Sequence, residues 1–246
     1  MQLSNQEIEY MRVAGKLTAD ALKYASTLVR PGISTYELDK LVHEYIIKSG
    51  AKPAFYLHDG FPNACCISVN EVVVHGIPSK DKILHEGDIV SIDTGVIYNG
   101  YYGDSARTFG VGKVSDEVSK LIRVTEECFF KGVEKIKVGG YLGDVSNAIQ
   151  NHAESNGFSV VRELVGHGIG KELHMEPQVP NYGLPNRGYI LKENMCIAIE
   201  PMINLGKKNI LLKEDGWTIF TQDGKPSAHY ENTVLITKNG VEILTL

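Results

Sequence analysis

Asp93, Asp104, His167, Glu200 and Glu231 are residues of the types that hold divalent cations, four carboxylates and one imidazole. Each lies in an apolar or Gly-rich, strand-like context and not on a charged face. Like charges repel there, and their desolvation is costly unless a cation neutralises them. Two divalent ions clamped between these side chains resolve the conflict, and such ions activate water. An oxygen-rich set with one imidazole suits Mn, Fe, Co or Zn and shows no preference for thiolate-loving metals. Two more histidines, His75 in Val74-His75-Gly76-Ile77-Pro78 and His174 in Gly166-His167-Gly168-Ile169-Gly170-Lys171-Glu172-Leu173-His174, stand in Gly/Pro-rich segments. Such segments let a side chain project into a cleft.

These residues need elements to hold them. Ile89, Ser91, Asp93 and Gly95 alternate with Val90, Ile92 and Thr94, the period of a strand with two distinct faces. Asn99-Gly100 is a hairpin turn signal, and the returning strand brings Asp104 toward Asp93. Residues 64–75 are apolar and β-branched, as in strands. Ser4 with Glu7 and Ser34 with Glu37 have capping-box spacing, each ahead of apolar residues at helical intervals. Arg30-Pro31-Gly32 and Ser49-Gly50 end those two helices. Further helices are expected at Asp116–Val138 and Leu142–Asn156, turns at Asp215-Gly216 and a closing hairpin around Asn239-Gly240. Gly87–Asp93 and Asn194–Glu200 echo one another as alternating strands that finish on an acid, and helix pairs precede both. A pseudo-twofold arrangement around a shared site would produce that echo.

With 246 residues the chain can bury one generous core, and we expect one catalytic domain over 1–246 that includes an N-terminal helical unit at about 1–62. Its 25 basic against 30 acidic residues give a net charge of −5, which supplies no electrostatic footprint for DNA or an anionic membrane. The polar start from Met1 to Arg12 lacks a signal-peptide core, and no run is long enough to span a bilayer. Cys65, Cys66, Cys128 and Cys196 have no C-x-x-C spacing, which fits reduced thiols in a cytoplasmic protein. His43, His85 and His152 read as solvated side chains, whereas His229, two positions before Glu231, can share its face.

The chain resembles the type I methionine aminopeptidases of the short bacterial form over essentially its whole length. The resemblance rests on Met11-Arg12-Val13-Ala14-Gly15, Pro31-Gly32-Ile33-Ser34-Thr35, Ile67-Ser68-Val69-Asn70-Glu71, His75-Gly76-Ile77-Pro78 and Gly87-Asp88-Ile89-Val90. It continues through Gly103-Asp104, the His167–His174 segment, Glu176-Pro177-Gln178-Val179, Ile199-Glu200-Pro201, Trp217 and His229-Tyr230-Glu231-Asn232-Thr233. It implies an α/β (α+β) pita-bread fold, a pseudo-twofold curved antiparallel sheet with helices on its outer face. It also implies that Asp104 and Glu231 bridge two divalent ions, that Asp93 completes one site, and that His167 and Glu200 complete the other. Glu200 would shuttle the proton, His174 would stabilise the oxyanion and His75 would contact the scissile nitrogen. A monovalent cation, Na or K, would be held by the carbonyls of Asn70 and Val72 and by Ser227. The methionine pocket would be lined by His58, Phe61, Cys66, Leu173 and Trp217. Phe61 stands where Tyr is usual, His58 and Leu164 where aromatics are common, and Leu173 where Phe is frequent, which leaves the pocket's width open.

The activity implied is removal of the N-terminal methionine from peptides and nascent proteins, with a small second residue preferred. A monomer in the cytoplasm and transient ribosome association belong to the same expectation. An Xaa-Pro aminopeptidase or dipeptidase of the same fold is the alternative, although those relatives usually carry a large additional N-terminal domain. A catalytically dead binding module of this fold would have lost ligands that this chain keeps.

Overall fold

The computed structural model describes residues 2–246. Ser4 caps the first helix, α1 (Asn5–Leu28), in the expected reciprocal way. Its Oγ accepts from the Glu7 N–H at 3.4 Å, and Glu7 accepts from the Ser4 N–H at 2.8 Å. The second helix, α2 (Thr35–Lys48), is capped in one direction only. Ser34 Oγ accepts from the Glu37 N–H, but Glu37 does not reach back, so the expected second capping box is half formed.

Short strands β1 (Lys52–Pro53), β2 (Cys65–Val69) and β3 (Val72–Val74) follow, and then a long hairpin of β4 (Ile89–Tyr98) and β5 (Tyr101–Gly110). Asn99 and Gly100 turn it with φ of 48° and 80°, the left-handed pair that a tight two-residue hairpin requires. Helices α3 (Asp116–Val133) and α4 (Leu142–Ser155) begin where expected, but α3 stops one turn before Val138. The remaining strands are β6 (Ser159–Val160), β7 (Gly166–Gly168), β8 (Met175–Val179), β9 (Met195–Ile199), β10 (Met202–Asn204), β11 (Ile210–Leu212), β12 (Ile219–Thr221), β13 (Ser227–His229), β14 (Glu231–Thr237) and β15 (Gly240–Ile243). The last hairpin turns at Lys238-Asn239, because Thr237 pairs with Gly240.

The main sheet has nine strands in the order β1-β4-β5-β14-β9-β7-β8, with β2 also on β4 and β15 also on β14, and every pairing is antiparallel. Its two halves repeat one another. Val90, Ile92 and Val96 of β4 pack beneath α1 and α2 with Leu22, Leu38 and Val42. Ile197 and Ile199 of β9, with Val234 and Ile236 of β14, pack beneath α3 and α4 with Leu121, Phe129 and Ile149. Burying these apolar faces against helices drives the architecture, at roughly 1.5–3 kcal/mol for each fully buried large side chain. Alternation then forces the odd residues of β4 and β14 and the even residues of β9 onto the opposite, concave face.

The two halves meet at β5 and β14, where only Glu231↔Ala106 and Asn232↔Ser105 pair in register. Hydroxyls extend this short seam. Thr233 Oγ1 accepts from the Asp104 N–H at 3.0 Å and donates to the Asp104 carbonyl at 2.9 Å, and Ser105 Oγ donates to the Glu231 carbonyl at 2.6 Å. Among the described residues no helix is long and apolar enough to cross a membrane.

Candidate metal centre and adjoining pocket

The sheet register brings the five acid and imidazole side chains to one face. Asp93 lies opposite Ala106, Asp104 opposite Gly95 and Glu231 opposite Ala106, so all three share a face of neighbouring strands. Ala198 pairs with both His167 and Thr233, which puts His167 on that face, and Glu200 follows Ala198 by two residues. Donor atoms of Asp104, His167 and Glu231 lie within 4.8 Å of one another. His167 Nε2 is 3.7 Å from Asp104 Oδ2 and 3.6 Å from Glu200 Oε1.

His167 owes its position to its glycine neighbours. A Cβ on Gly166 would sit 2.3 Å from the Ala198 carbonyl oxygen, and one on Gly168 would sit 2.3 Å from that of Glu176. Only glycine allows β7 to run this close between β8 and β9. Nδ1 of His167 lies 3.0 Å from the Gly168 carbonyl. That contact fixes the tautomer with the proton on Nδ1 and leaves the Nε2 lone pair facing the acids.

Electrostatically the cluster is unstable as it stands. Burial, followed by repulsion from the neighbouring carboxylates, holds Asp93, Glu200 and Glu231 well above the usual carboxylate range. Burial pushes Asp104 up to about 7. Asp93 Oδ1, Asp104 Oδ1 and Glu231 Oε1 are buried without a hydrogen-bond partner, as are both ring nitrogens of His229. Orphaned acceptors of this kind are rare in folded proteins and point to a missing cation. The donor set therefore fits hard or borderline divalent ions. Burial lowers His75 and His167 to about 4 and His229 to about 3, so all three imidazoles are neutral near pH 7.

A cavity of about 120 Å³ opens beside the cluster. Phe61, Cys66, Leu173 and Trp217 form its apolar walls, and His58, His75 and His174 stand at its polar side. Every pocket residue read from the sequence lines this space. Cys66 lies directly opposite Asp93 across β2 and β4, which sets the pocket beside the ligands. Buried Asp39 fixes that wall, its carboxylate accepting from Asn63 Nδ2 and from the Ala64 and Cys65 N–H groups at 2.7–2.9 Å. The Phe61 and Trp217 rings meet edge to face at 5.2 Å. His75 has a φ of 58°, an uncommon conformation for a residue with a Cβ, and it aims the ring along the pocket 6.4 Å from Trp217. His174 is exposed and stacks edge-on against His167, with ring centroids 4.5 Å apart.

Two cavity residues, Phe55 and Asp59, were not evident in the sequence. Asp59 follows Leu57 and His58 in a tight turn in which Leu57 and Asp59 both have positive φ; Asp59-Gly60 is a turn-favouring pair, whereas nothing in Leu57 signals a left-handed residue. A second, open groove of about 440 Å³ shares His75, His167, His174 and Glu200 and continues past Leu164, Met202 and Gln178. Leu164 thus borders this groove and not the first cavity. Away from the site, His152 is half-buried and bonded to Glu127 at 2.8 Å, contrary to a freely solvated ring. The Ser227 N–H donates to the Asn70 carbonyl at 3.0 Å, and Ser227 Oγ lies 2.8 Å from Asn204 Oδ1. Val72 is nearby on β3, opposite Phe220.

Comparison with known proteins agrees with this geometry. A model of metallopeptidase family M24 matches residues 9–238. The methionine aminopeptidase of Clostridium acetobutylicum is 53% identical over 243 residues, covering 99% of this chain and 97% of that protein. The solved methionine aminopeptidase of Thermotoga maritima superposes with a TM-score of 0.98 at 48% identity, over 100% of this chain and 98% of that one. The prolidase of Pyrococcus furiosus is more distant, with a TM-score of 0.80, 27% identity and 65% of its own chain covered.

Proposed function

Because the chain belongs to metallopeptidase family M24, we propose that its buried acid and imidazole cluster is the dinuclear centre of an aminopeptidase that removes N-terminal methionine. The observation that carries this reading is the joining of five cation-seeking side chains on one sheet face to a narrow apolar cavity. Asp93, Asp104, His167, Glu200 and Glu231 would hold two divalent ions. When bound, the ions supply Lewis acidity and a water acidified toward neutral pH.

The remaining chemistry belongs to the chain. Phe61, Cys66, Leu173 and Trp217 take the unbranched thioether side chain, for which apolar contact is the main requirement. The acids that the substrate amine would meet at the cavity floor favour a free ammonium or amine over an internal peptide group, which accounts for exopeptidase action. Glu200 opens both onto the cavity and onto the second groove, where it can take the proton from water and return it to the leaving amine. His174, exposed on one side but held below the ordinary imidazole range by partial desolvation and by the nearby His58, donates its remaining N–H to the developing oxyanion. His75, neutral and held beside Trp217, contacts the scissile nitrogen. The rest of the peptide leaves through the groove past Leu164 and Met202. Its second residue must pass between His75 and His174, so small side chains are preferred. A Na or K ion at the carbonyls of Asn70 and Val72 and at Ser227 would brace β3 and β13 behind the site.

The test is release of methionine from Met-Ala-Ser by protein reconstituted anaerobically with Mn(II), Fe(II) or Co(II), compared with release of the first residue from Xaa-Pro peptides. Faster cleavage of Xaa-Pro would replace this reading with the Xaa-Pro peptidase alternative. The absence of any metal-dependent hydrolysis would point to a binding module.

A further inference from the structure

Arg107 stands on β5 three residues beyond Asp104 and, by strand alternation, turns to the outer face of the sheet. Its guanidinium makes five hydrogen bonds, all to neutral oxygens. Nη1 donates to the Glu231 carbonyl at 2.6 Å, to the Ala106 carbonyl at 2.8 Å and to Ser105 Oγ at 2.9 Å. Nη2 donates to Asn232 Oδ1 at 2.6 Å and to the Thr245 carbonyl at 3.2 Å. The Tyr230 ring covers the group, its centroid 4.2 Å from Cζ. Burial holds the guanidinium below its ordinary range, the mark of a charge that is costly to place. A position that needed only volume would be better filled by an apolar side chain.

The bonded oxygens share a place in the fold. Ser105 and Ala106 belong to β5, Glu231 and Asn232 open β14, and Thr245 follows β15. The guanidinium therefore spans the seam at which the two halves have only two residue pairs in register. Glu231 is the first residue of β14, just after the chain leaves β13, which belongs to a different sheet. Strand ends fray most readily. Here the end is held by its main chain, which Ser105 Oγ and Arg107 both grip while the Glu231 side chain faces the concave side. Asn232 extends the hold, because its Oδ1 also accepts from Thr245 Oγ1 at 3.0 Å. Arg107 lines neither the cavity nor the peptide groove, so it can act on the site only through the strands.

We propose that Arg107 is a positioning residue of the metal centre, clamping the start of β14 against β5 and so setting the separation of the Asp104 and Glu231 carboxylates. This inference rests on the dinuclear reading given above. Two buried carboxylates repel one another until a cation arrives. A clamp behind the sheet resists that repulsion in the apo-protein, so the ions meet donors already in place.

The experiment compares wild type with Arg107→Lys, which keeps the charge but loses the planar fork, and with Arg107→Met, which keeps only the apolar stem. Each apo-protein is titrated anaerobically with Co(II) alone by calorimetry, and hydrolysis of Met-Ala-Ser is followed at saturating Co(II). Both variants should bind Co(II) at least about 10-fold more weakly and lose kcat, with KM kept within about twofold because the pocket walls are untouched. Variants that unfold in less denaturant yet keep wild-type Co(II) affinity and kcat would overturn the proposal and leave Arg107 as a stabiliser of the core. Wild type that takes up fewer than two Co(II), or releases no methionine, would instead overturn the dinuclear aminopeptidase reading, and this proposal with it. Should neither variant fold, the wild type decides alone, because coupling is reciprocal: bonds that strengthen ion binding about 10-fold are strengthened by the ion to the same degree. Exchange of the Arg107 Nη–H protons, followed by nitrogen-15 NMR, should then slow about 10-fold on saturation with Zn(II), and unchanged exchange would refute the assignment.

Discussion

Removing the metal should turn the protein's stability into a falling function of pH between 6.5 and 8. Asp93, Asp104, Glu200 and Glu231 are all held above the ordinary carboxylate range, Asp104 at about 7. A raised folded-state value means that the folded apo-protein keeps a proton which the unfolded chain has already lost. Stability from such a group is complete below about pH 4 and is lost as pH rises through the folded value. Each retained proton costs about 1.4 kcal/mol per pH unit, so one carboxyl still protonated across this window costs about 2 kcal/mol. For a chain of this length that corresponds to a fall in Tm of roughly 4–8 °C. Histidine opposes this slope, chiefly at the acid end of the window. His75 and His167 at about 4 and His229 at about 3 are neutral in the folded state throughout, and unfolded histidine is mostly neutral above 6.5. The buried thiols depart from the unfolded chain only above about pH 8. With saturating Mn(II) the carboxylates stay ionised in the folded state, and the slope should vanish. Scanning calorimetry in EDTA and in Mn(II) at four pH values decides the matter. Parallel curves in the two conditions, or an apo-protein that gains stability toward pH 8, would refute the electrostatic account of the cluster.

Three further outcomes are expected. His174→Ala should lower kcat by about 10²–10³ with metal content unchanged by elemental analysis, as expected for an oxyanion donor, and loss of metal would instead make it a structural residue. Trp217→Ala removes the partner of the Phe61 ring, and should raise KM for Met-Ala-Ser about tenfold with a smaller change in kcat, measured in steady-state assays. Gly168→Ala drives a Cβ into the Glu176 carbonyl, so denaturant titration should show a loss of about 1–3 kcal/mol and Co(II) calorimetry a weaker ion at His167; an unchanged affinity would show that β7 can move aside.

Much of the architecture was legible because its signals are local. The alternation from Ile89 to Gly95 and the Asn99-Gly100 turn predict the β4–β5 hairpin and the approach of Asp93 to Asp104. Ser4 and Glu7 mark the start of α1. Less local features were hidden. Nothing between Val133 and Val138 breaks helical periodicity, yet the chain leaves α3 there to reach the Gly139-Gly140 turn. Asp59-Gly60 carries turn chemistry but left-handed Leu57 carries none, so the arrival of Asp59 and Phe55 at the cavity depends on packing. The approach of His229 to Glu200 likewise arises from the pairing of β13 with β10, and only its shared face with Glu231 was readable beforehand.

The division of the ligands across the β5–β14 seam also has a consequence for how the chain comes into being. Asp93 and Asp104 belong to the half that leaves the ribosome first, whereas His167, Glu200 and Glu231 belong to the half made later. A growing chain can therefore fold the β4–β5 hairpin under α1 and α2 while its two acids still face water and stay solvated. Neither acid meets the later ligands until β14 has been synthesised and docked between β5 and β9. On the proposed dinuclear reading, capture of the ions would be tied to one late, long-range event, and catalytic competence should appear in a single step near the end of synthesis, with no partly active intermediate.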